Sequence, residues 1–127
     1  MKKILILLMI IIALSVFSAA GLARDFPIEY TDKLGRKIEI KTEVERIISL
    51  APAVTEVIYA LEAEDKLIAV SSACDYPEQA LAKENVGRID EPNIEKIVAL
   101  EPDLVITESV TKIETLKRLS ELGIKNI

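Results

Sequence analysis

Three short apolar runs, each closed by a turn, constrain this chain more than any other feature. They are Ile47-Ile48-Ser49-Leu50, Leu67–Val70 and Leu104-Val105-Ile106-Thr107. Runs of this length without polar alternation suit strands buried on both faces, as in parallel sheets. Between and after them apolar residues recur at the helix period. Val54, Val57, Ile58 and Leu61 share one face of a predicted helix over 55–61. Ile94, Ile97 and Val98 form the stripe of a second, opened by Pro92-Asn93 with Asn93 as N-cap and broken at Glu101-Pro102-Asp103. Ile113, Leu116, Leu119 and Leu122 carry a third helix to Gly123, a C′ residue, with Thr111 and Glu114 spaced as a capping box. Residues 78–83 read as a short helix, 71–77 as a loop, and 124–127 as the start of a fourth strand. Strands alternating with helices predict an α/β fold on a parallel sheet.

A different pattern precedes these units. Ile28–Thr31 and Lys37–Ile40 are short strand candidates around Asp32-Lys33-Leu34-Gly35, with Gly35 supplying a positive φ. Further upstream, Met1-Lys2-Lys3 is a positive start, 4–14 an unbroken apolar run, and 15–23 rich in small residues. That order is a secretory signal. Cleavage fits after Ala20 or after Ala23, and Ala23 is preferred because Arg24 and Asp25 then open the mature chain. The alternative is a retained anchor over 4–22, close to the roughly 20 residues a bilayer needs. The expected division is 1–23 signal peptide, 24–45 hairpin extension and 46–127 α/β domain. The protein is expected outside the cytoplasmic membrane.

Composition excludes several functions. The chain has no His, so His-dependent catalysis and almost all zinc sites fall away. Cys74 is alone, which leaves no intrachain disulfide. With 16 Lys+Arg against 21 Asp+Glu, the chain is acidic, and nucleic acid is not an expected partner. Membrane contact is expected only through an uncleaved anchor, unless a partner protein supplies it. No bound cofactor is expected, and an exported α/β enzyme is disfavoured because no G-x-S-x-G elbow or paired acids occur.

In parallel sheets a ligand crevice lies at the carboxyl ends of the strands. Those ends are Leu50-Ala51-Pro52-Ala53, Ser71-Ser72-Ala73-Cys74 and Thr107-Glu108-Ser109, with 87–91 leading to the same region. Ala53, Ser72, Ala73, Cys74, Tyr76, Ile89 and Glu108 are therefore the candidate ligand-binding residues. Cys74 reads as a soft metal contact or redox-sensitive thiol, or as a small buried side chain. Tyr76 is an aromatic wall or a packed turn residue. Glu108 faces the pocket or solvent, and Asp90-Glu91 meets a cation or water.

Four blocks carry a resemblance: 46–56 (Arg46-Ile47-Ile48-Ser49-Leu50-Ala51-Pro52-Ala53-Val54-Thr55-Glu56), 71–77 (Ser71-Ser72-Ala73-Cys74-Asp75-Tyr76-Pro77), 93–106 (from Asn93-Ile94-Glu95-Lys96 to Glu101-Pro102-Asp103-Leu104-Val105-Ile106) and 119–124 (Leu119-Ser120-Glu121-Leu122-Gly123-Ile124). In order and behind a signal, with Asp32, Gly35 and Arg36 as a prelude, they resemble the periplasmic binding proteins for cobalamin, haem and iron–siderophore complexes. The resemblance implies a three-layer, Rossmann-like lobe of the class III type and delivery of a metal chelate to an ABC importer permease. It implies that Glu95 docks onto permease arginines. Ala73 and Ile89 stand where cobalamin binders place aromatics, which leaves other corrinoids, haem and siderophores open. It also implies a second lobe, so this chain is expected to be an incomplete N-lobe, as a truncated gene product, a fragment or half of a split gene, holding ligand poorly and exposing apolar surface. The competing expectation is an exported fragment or surface interaction module without a transport role.

Overall fold

The computed structural model describes residues 25–127; the expected signal segment, 1–23, lies outside the described residues. The chain runs β1 (Ile28–Thr31), β2 (Lys37–Ile40), β3 (Ile47–Ser49), α1 (Pro52–Ala60), β4 (Leu67–Val70), β5 (Glu84–Asn85), α2 (Ile94–Ala99), β6 (Leu104–Ile106) and α3 (Ile113–Glu121), with 3-10 turns at Glu64–Lys66 and Glu78–Ala82. β1 and β2 form an antiparallel hairpin in the register Ile28↔Ile40 to Thr31↔Lys37. The other four strands make a parallel sheet in the order β5-β4-β3-β6. Residues 125–127 extend it beyond β6: Val105 N–H donates to Lys125 C=O at 2.9 Å, and Ile127 N–H to Val105 C=O at 3.1 Å.

Alternation along β3 and β6 divides the core between the two sheet faces. Ile48, Leu50, Ala69 and Val105 pack with Ile97 of α2 and Leu119 of α3 on one face. Ile47, Leu67, Val70 and Ile106 pack with Ile58 of α1 and with Cys74 on the other. This is the three-layer α/β arrangement expected from the pattern. The two-residue strand β5 is an addition, invisible in sequence because Glu84 and Asn85 are polar and exposed on the sheet edge.

Helix faces depart from the expected stripes. α1 starts at Pro52, which needs no amide partner at a first-turn position. It buries Thr55 and Ile58, while Val57 and Leu61 are 54% and 72% exposed. Thr55 displaces them because its hydroxyl lies 2.9 Å from Ser49 Oγ and 3.2 Å from Ala51 C=O, which turns that side of the helix to the sheet. In α2 Ile97 is fully buried, but Val98 is exposed. In α3 Thr115, Leu116 and Leu119 face inward, whereas Ile113 and Leu122 sit outside at its two ends. The expected capping box also fails. Lys112 is the N-cap residue, and Thr111 instead donates its hydroxyl to Ile89 C=O at 3.0 Å. Asn93 does cap α2, accepting from Lys96 N–H at 2.8 Å. Gly123, at φ 77°, ends α3: its N–H reaches Ser120 C=O and that of Ile124 reaches Leu119 C=O.

Two polar clamps join distant segments. At the amino end of the sheet, the Asp103 carboxylate accepts the amides of Glu45 and Arg46, each at 2.9 Å. The Arg46 guanidinium returns to Leu100 and Glu101 C=O, satisfying carbonyls at the end of α2. The second clamp holds the hairpin. Asp32 accepts Leu34 and Arg36 amides and the Arg36 Nε, and Arg36 Nη1 donates to Asn126 Oδ1 at 2.8 Å. Asn126 is buried, with Nδ2 donating toward Ser120 Oγ, Ile124 C=O and Leu116 C=O. Gly35, at φ 76°, closes the turn that brings Asp32 back to Arg36.

Asn126→Ala should therefore lower stability by about 1–3 kcal/mol, since it strands buried carbonyls and frees the hairpin anchor. A denaturant midpoint unchanged within error would contradict that role. Asp32 gives a pH test. Partial removal from water pushes its carboxyl up, but hydrogen bonds from the Arg36 amide and guanidinium, with the Arg36 charge, outweigh this and hold it below the usual range. A lowered folded value stabilises the native state above the ordinary carboxylate range, and that contribution is lost as pH falls through the folded value. Between pH 5 and about pH 2 the wild type should lose more stability than Asp32→Asn. Parallel losses in the two proteins would show that Asp32 contributes no such linkage.

Candidate functional site

The site begins with strand direction. All four sheet strands run in parallel, so 50–53, 71–77, 86–93 and 107–112 leave the sheet at one rim. Hydrogen bonds fasten these loops side by side. Ser72 N–H donates to Gly87 C=O at 2.7 Å, Asn93 N–H to Val86 C=O at 2.8 Å, and Lys112 N–H to Asp90 C=O at 3.1 Å. Beneath them the end of β3 is held by buried hydroxyls. Ser49 Oγ donates to Ala51 C=O at 3.0 Å and Ser71 Oγ to Leu50 C=O at 2.9 Å.

A cleft of about 480 Å³ opens on this rim. Ala51, Ala53 and Val54 form its floor at the start of α1, and Thr107, Glu108, Ser109, Ile113 and Leu116 form one side. The other side comes from the hairpin, through Tyr30, Asp32, Lys33, Leu34 and Arg36. The lining is mostly apolar with a few polar groups, a composition that suits a small organic ligand.

The candidate residues divide within this geometry. Ala53 and Glu108 line the cleft. Ser72, Ala73 and Tyr76 lie on the neighbouring rim loop, all exposed, with Tyr76 at 65%. Ile89 is half-buried and packs against the core cluster that contains Ile97. Cys74 lies below the rim surface. It is 2% exposed, with Sγ 3.4 Å from Ser71 Oγ and 3.7 Å from Ser49 C=O, so its thiol belongs to the core beneath the rim. The hairpin wall escaped sequence reasoning because Tyr30 to Leu34 and Thr107 to Ile113 lie more than 70 residues apart. The only signal for it was Arg36, a cation in a turn that needed a distant partner.

Charges on the rim are unevenly compensated. Asp90 pairs with Arg88 at 2.8 Å, and the hydrogen bond from that guanidinium holds its carboxyl below the usual range. Glu91 pairs with Lys112 at 2.6 Å, which raises the lysine. Lys96 pairs with Glu84. Glu95, in the first turn of α2, is exposed and has no ion-pair or hydrogen-bond partner among the described residues. Because α2 runs back against the strands, its first turn lies on the same rim as the cleft.

Comparison with known proteins agrees with this architecture. The model of a family described as periplasmic binding protein matches residues 47–123. A vitamin B12-binding protein of Vibrio vulnificus is 46% identical over 83 residues, which cover 65% of this chain and 30% of that protein. An uncharacterized ABC transporter substrate-binding lipoprotein of Bacillus subtilis is 34% identical over 102 residues, covering 78% of this chain and 32% of its own length. The crystal structure of the periplasmic vitamin B12 binding protein BtuF of Vibrio cholerae superposes with a TM-score of 0.61 at 47% identity, over 66% of this chain and 33% of that one. This chain thus spans about a third of the length of the curated relatives it matches. With the parallel sheet, its rim cleft and a family match over most of the described lobe in agreement, the chain belongs to the periplasmic binding protein family.

Proposed function

We propose that this chain supplies the N-terminal lobe of the extracytoplasmic substrate-binding component of an ABC importer. Its cargo is a metal chelate: a corrinoid, haem or a ferric siderophore. The observation that carries this reading is a mostly apolar cleft at the carboxyl rim of the sheet, in a chain 46% identical over 83 residues to a vitamin B12-binding protein. The names of the relatives describe binding proteins, one of them an ABC transporter component, which favours capture over bond-making chemistry. In this reading 1–23 direct export, 24–45 form an extension, and 46–127 form the binding lobe.

The lobe offers one side of a binding site. Ala53 and Val54 present a flat apolar floor, and Glu108, Thr107 and Ser109 supply polar contacts at its edge. Ser72, Ala73, Tyr76 and Ile89 extend the surface along the rim. Ala73 and Ile89 give small and aliphatic contacts where aromatic stacking would tighten a corrin ring, so a cargo other than cobalamin itself is favoured. A second lobe closing from above would exclude water and strengthen each polar contact.

Glu95 docks the loaded protein to the permease. Its neighbours Asp90 and Glu91 are matched by Arg88 and Lys112, so Glu95 remains as an uncompensated exposed charge beside the cleft. Such a charge steers association with an arginine-bearing surface while contributing little to the fold.

Absorbance titration of the complete binding protein with cyanocobalamin, haemin and ferric siderophores tests the cargo class. Saturable spectral change with one of them is expected, and none with any would remove the capture reading. In the complete binding protein, Glu95→Ala should cut importer stimulation by roughly fivefold or more while leaving chelate affinity intact. Equal loss of affinity and stimulation would place Glu95 in ligand binding instead.

A further inference from the structure

The family match begins at residue 47, so the hairpin lies outside it. Yet five of the residues lining the cleft belong to the hairpin. Two of them, Asp32 and Arg36, are engaged in anchoring it through Asn126. The other three have no such task. Tyr30 is 46% exposed and Leu34 57% exposed, and among the described residues Lys33 makes no ion pair. A hairpin tip that serves only to reverse the chain is normally polar, with Gly, Asn, Asp or Ser. Here Asp32 and Gly35 already satisfy the turn, which leaves the apolar Leu34 at the tip unexplained by it, while Tyr30 stands on β1 opposite Ile38. Both line the same cleft as Ala53, Val54 and Ile113. The anchor through Asn126 ties the tip to the end of the sheet and to α3, so its position is fixed relative to the cleft floor.

We propose that the hairpin tip is a ligand-contacting wall that sets selectivity in this cleft. Tyr30 and Leu34 pack against the apolar face of the bound chelate, and Lys33 meets an anionic group on its periphery, a carboxylate or a phosphate. This rests on the capture reading above and assigns part of the recognition to residues outside the matched family region. A cation at this place also has a physical reason: the chain is acidic overall, and an anionic ligand approaching Glu108 needs a compensating charge.

The test is amide-resolved NMR of this chain titrated with cyanocobalamin, which carries a phosphate, and with gallium protoporphyrin IX, which carries carboxylates. Shifts at 30–34 together with those at 53 and 107–109 are expected. Leu34→Asp and Lys33→Glu should each weaken binding about fivefold to tenfold, while Leu81→Asp, an exposed apolar site outside the cleft, should leave it unchanged. Because Leu34 and Lys33 are exposed, neither variant threatens the fold. Shifts confined to 53 and 107–109, with Leu34→Asp and Lys33→Glu neutral, would overturn the wall and leave the capture reading standing. No shift with either probe, or shifts only away from the rim, would overturn the wall and remove corrinoids and haem from the capture reading.

Discussion

The structure depends on how the carboxyl end of β3 is finished. Strand β3 lies between β4 and β6 and is covered on both faces, so its polar groups have no access to water. Ser49 is fully buried there, and Thr55 and Ser71 are buried beside it. Their hydroxyls close on one another and on the carbonyls of Leu50 and Ala51. A buried polar group without a partner costs about 1–3 kcal/mol, so this small network has to be complete. It joins the first turn of α1 to the end of β3, although the N-cap residue Ala51 offers no side-chain cap. The network thereby sets where α1 starts and which side it turns to the sheet.

The cleft follows from that junction. With Thr55 facing inward, Ala53 and Val54 are left at the rim and form the floor of the cleft. Cys74 is drawn under the same network and below the rim surface. The loops around it are tied by backbone hydrogen bonds at 72, 93 and 112, which makes the rim a continuous surface. The hairpin is the one wall attached from outside the sheet. Its hold is electrostatic and polar, through Asp32, Arg36 and Asn126, in contrast to the apolar packing of the helices. That difference is why acid should loosen the hairpin before it disturbs the lobe.

The rim carries two chemically different surfaces. The cleft is mostly apolar, with a few polar groups at its edge. The exposed charge of Glu95 lies next to the cleft but outside its lining, in the first turn of α2. Asp90 and Glu91 are paired with adjacent cations, whereas Glu95 has no ion pair among the described residues.

Much of the fold was legible in the residues themselves. The boundaries of β1, β2 and β4, the cap at Asn93 and the stop at Gly123 are local, fixed by apolar runs, a side-chain oxygen and a positive φ. The order of strands and helices and the rim carrying Ala53 and Glu108 follow from the same period and from the parallel layout. What only the tertiary structure decided is non-local. Val57, Leu61, Val98, Ile113 and Leu122 satisfy the helix period yet face outward, because the face a helix buries depends on the sheet it meets. Thr111 left its capping role for a carbonyl across the rim, and Cys74 went to the core. The hairpin became a wall of the cleft because Arg36 found Asn126, ninety residues away. Periodicity specifies an element and its amphipathic options; only the packing of distant segments, through their buried hydrogen bonds, selects which option is used.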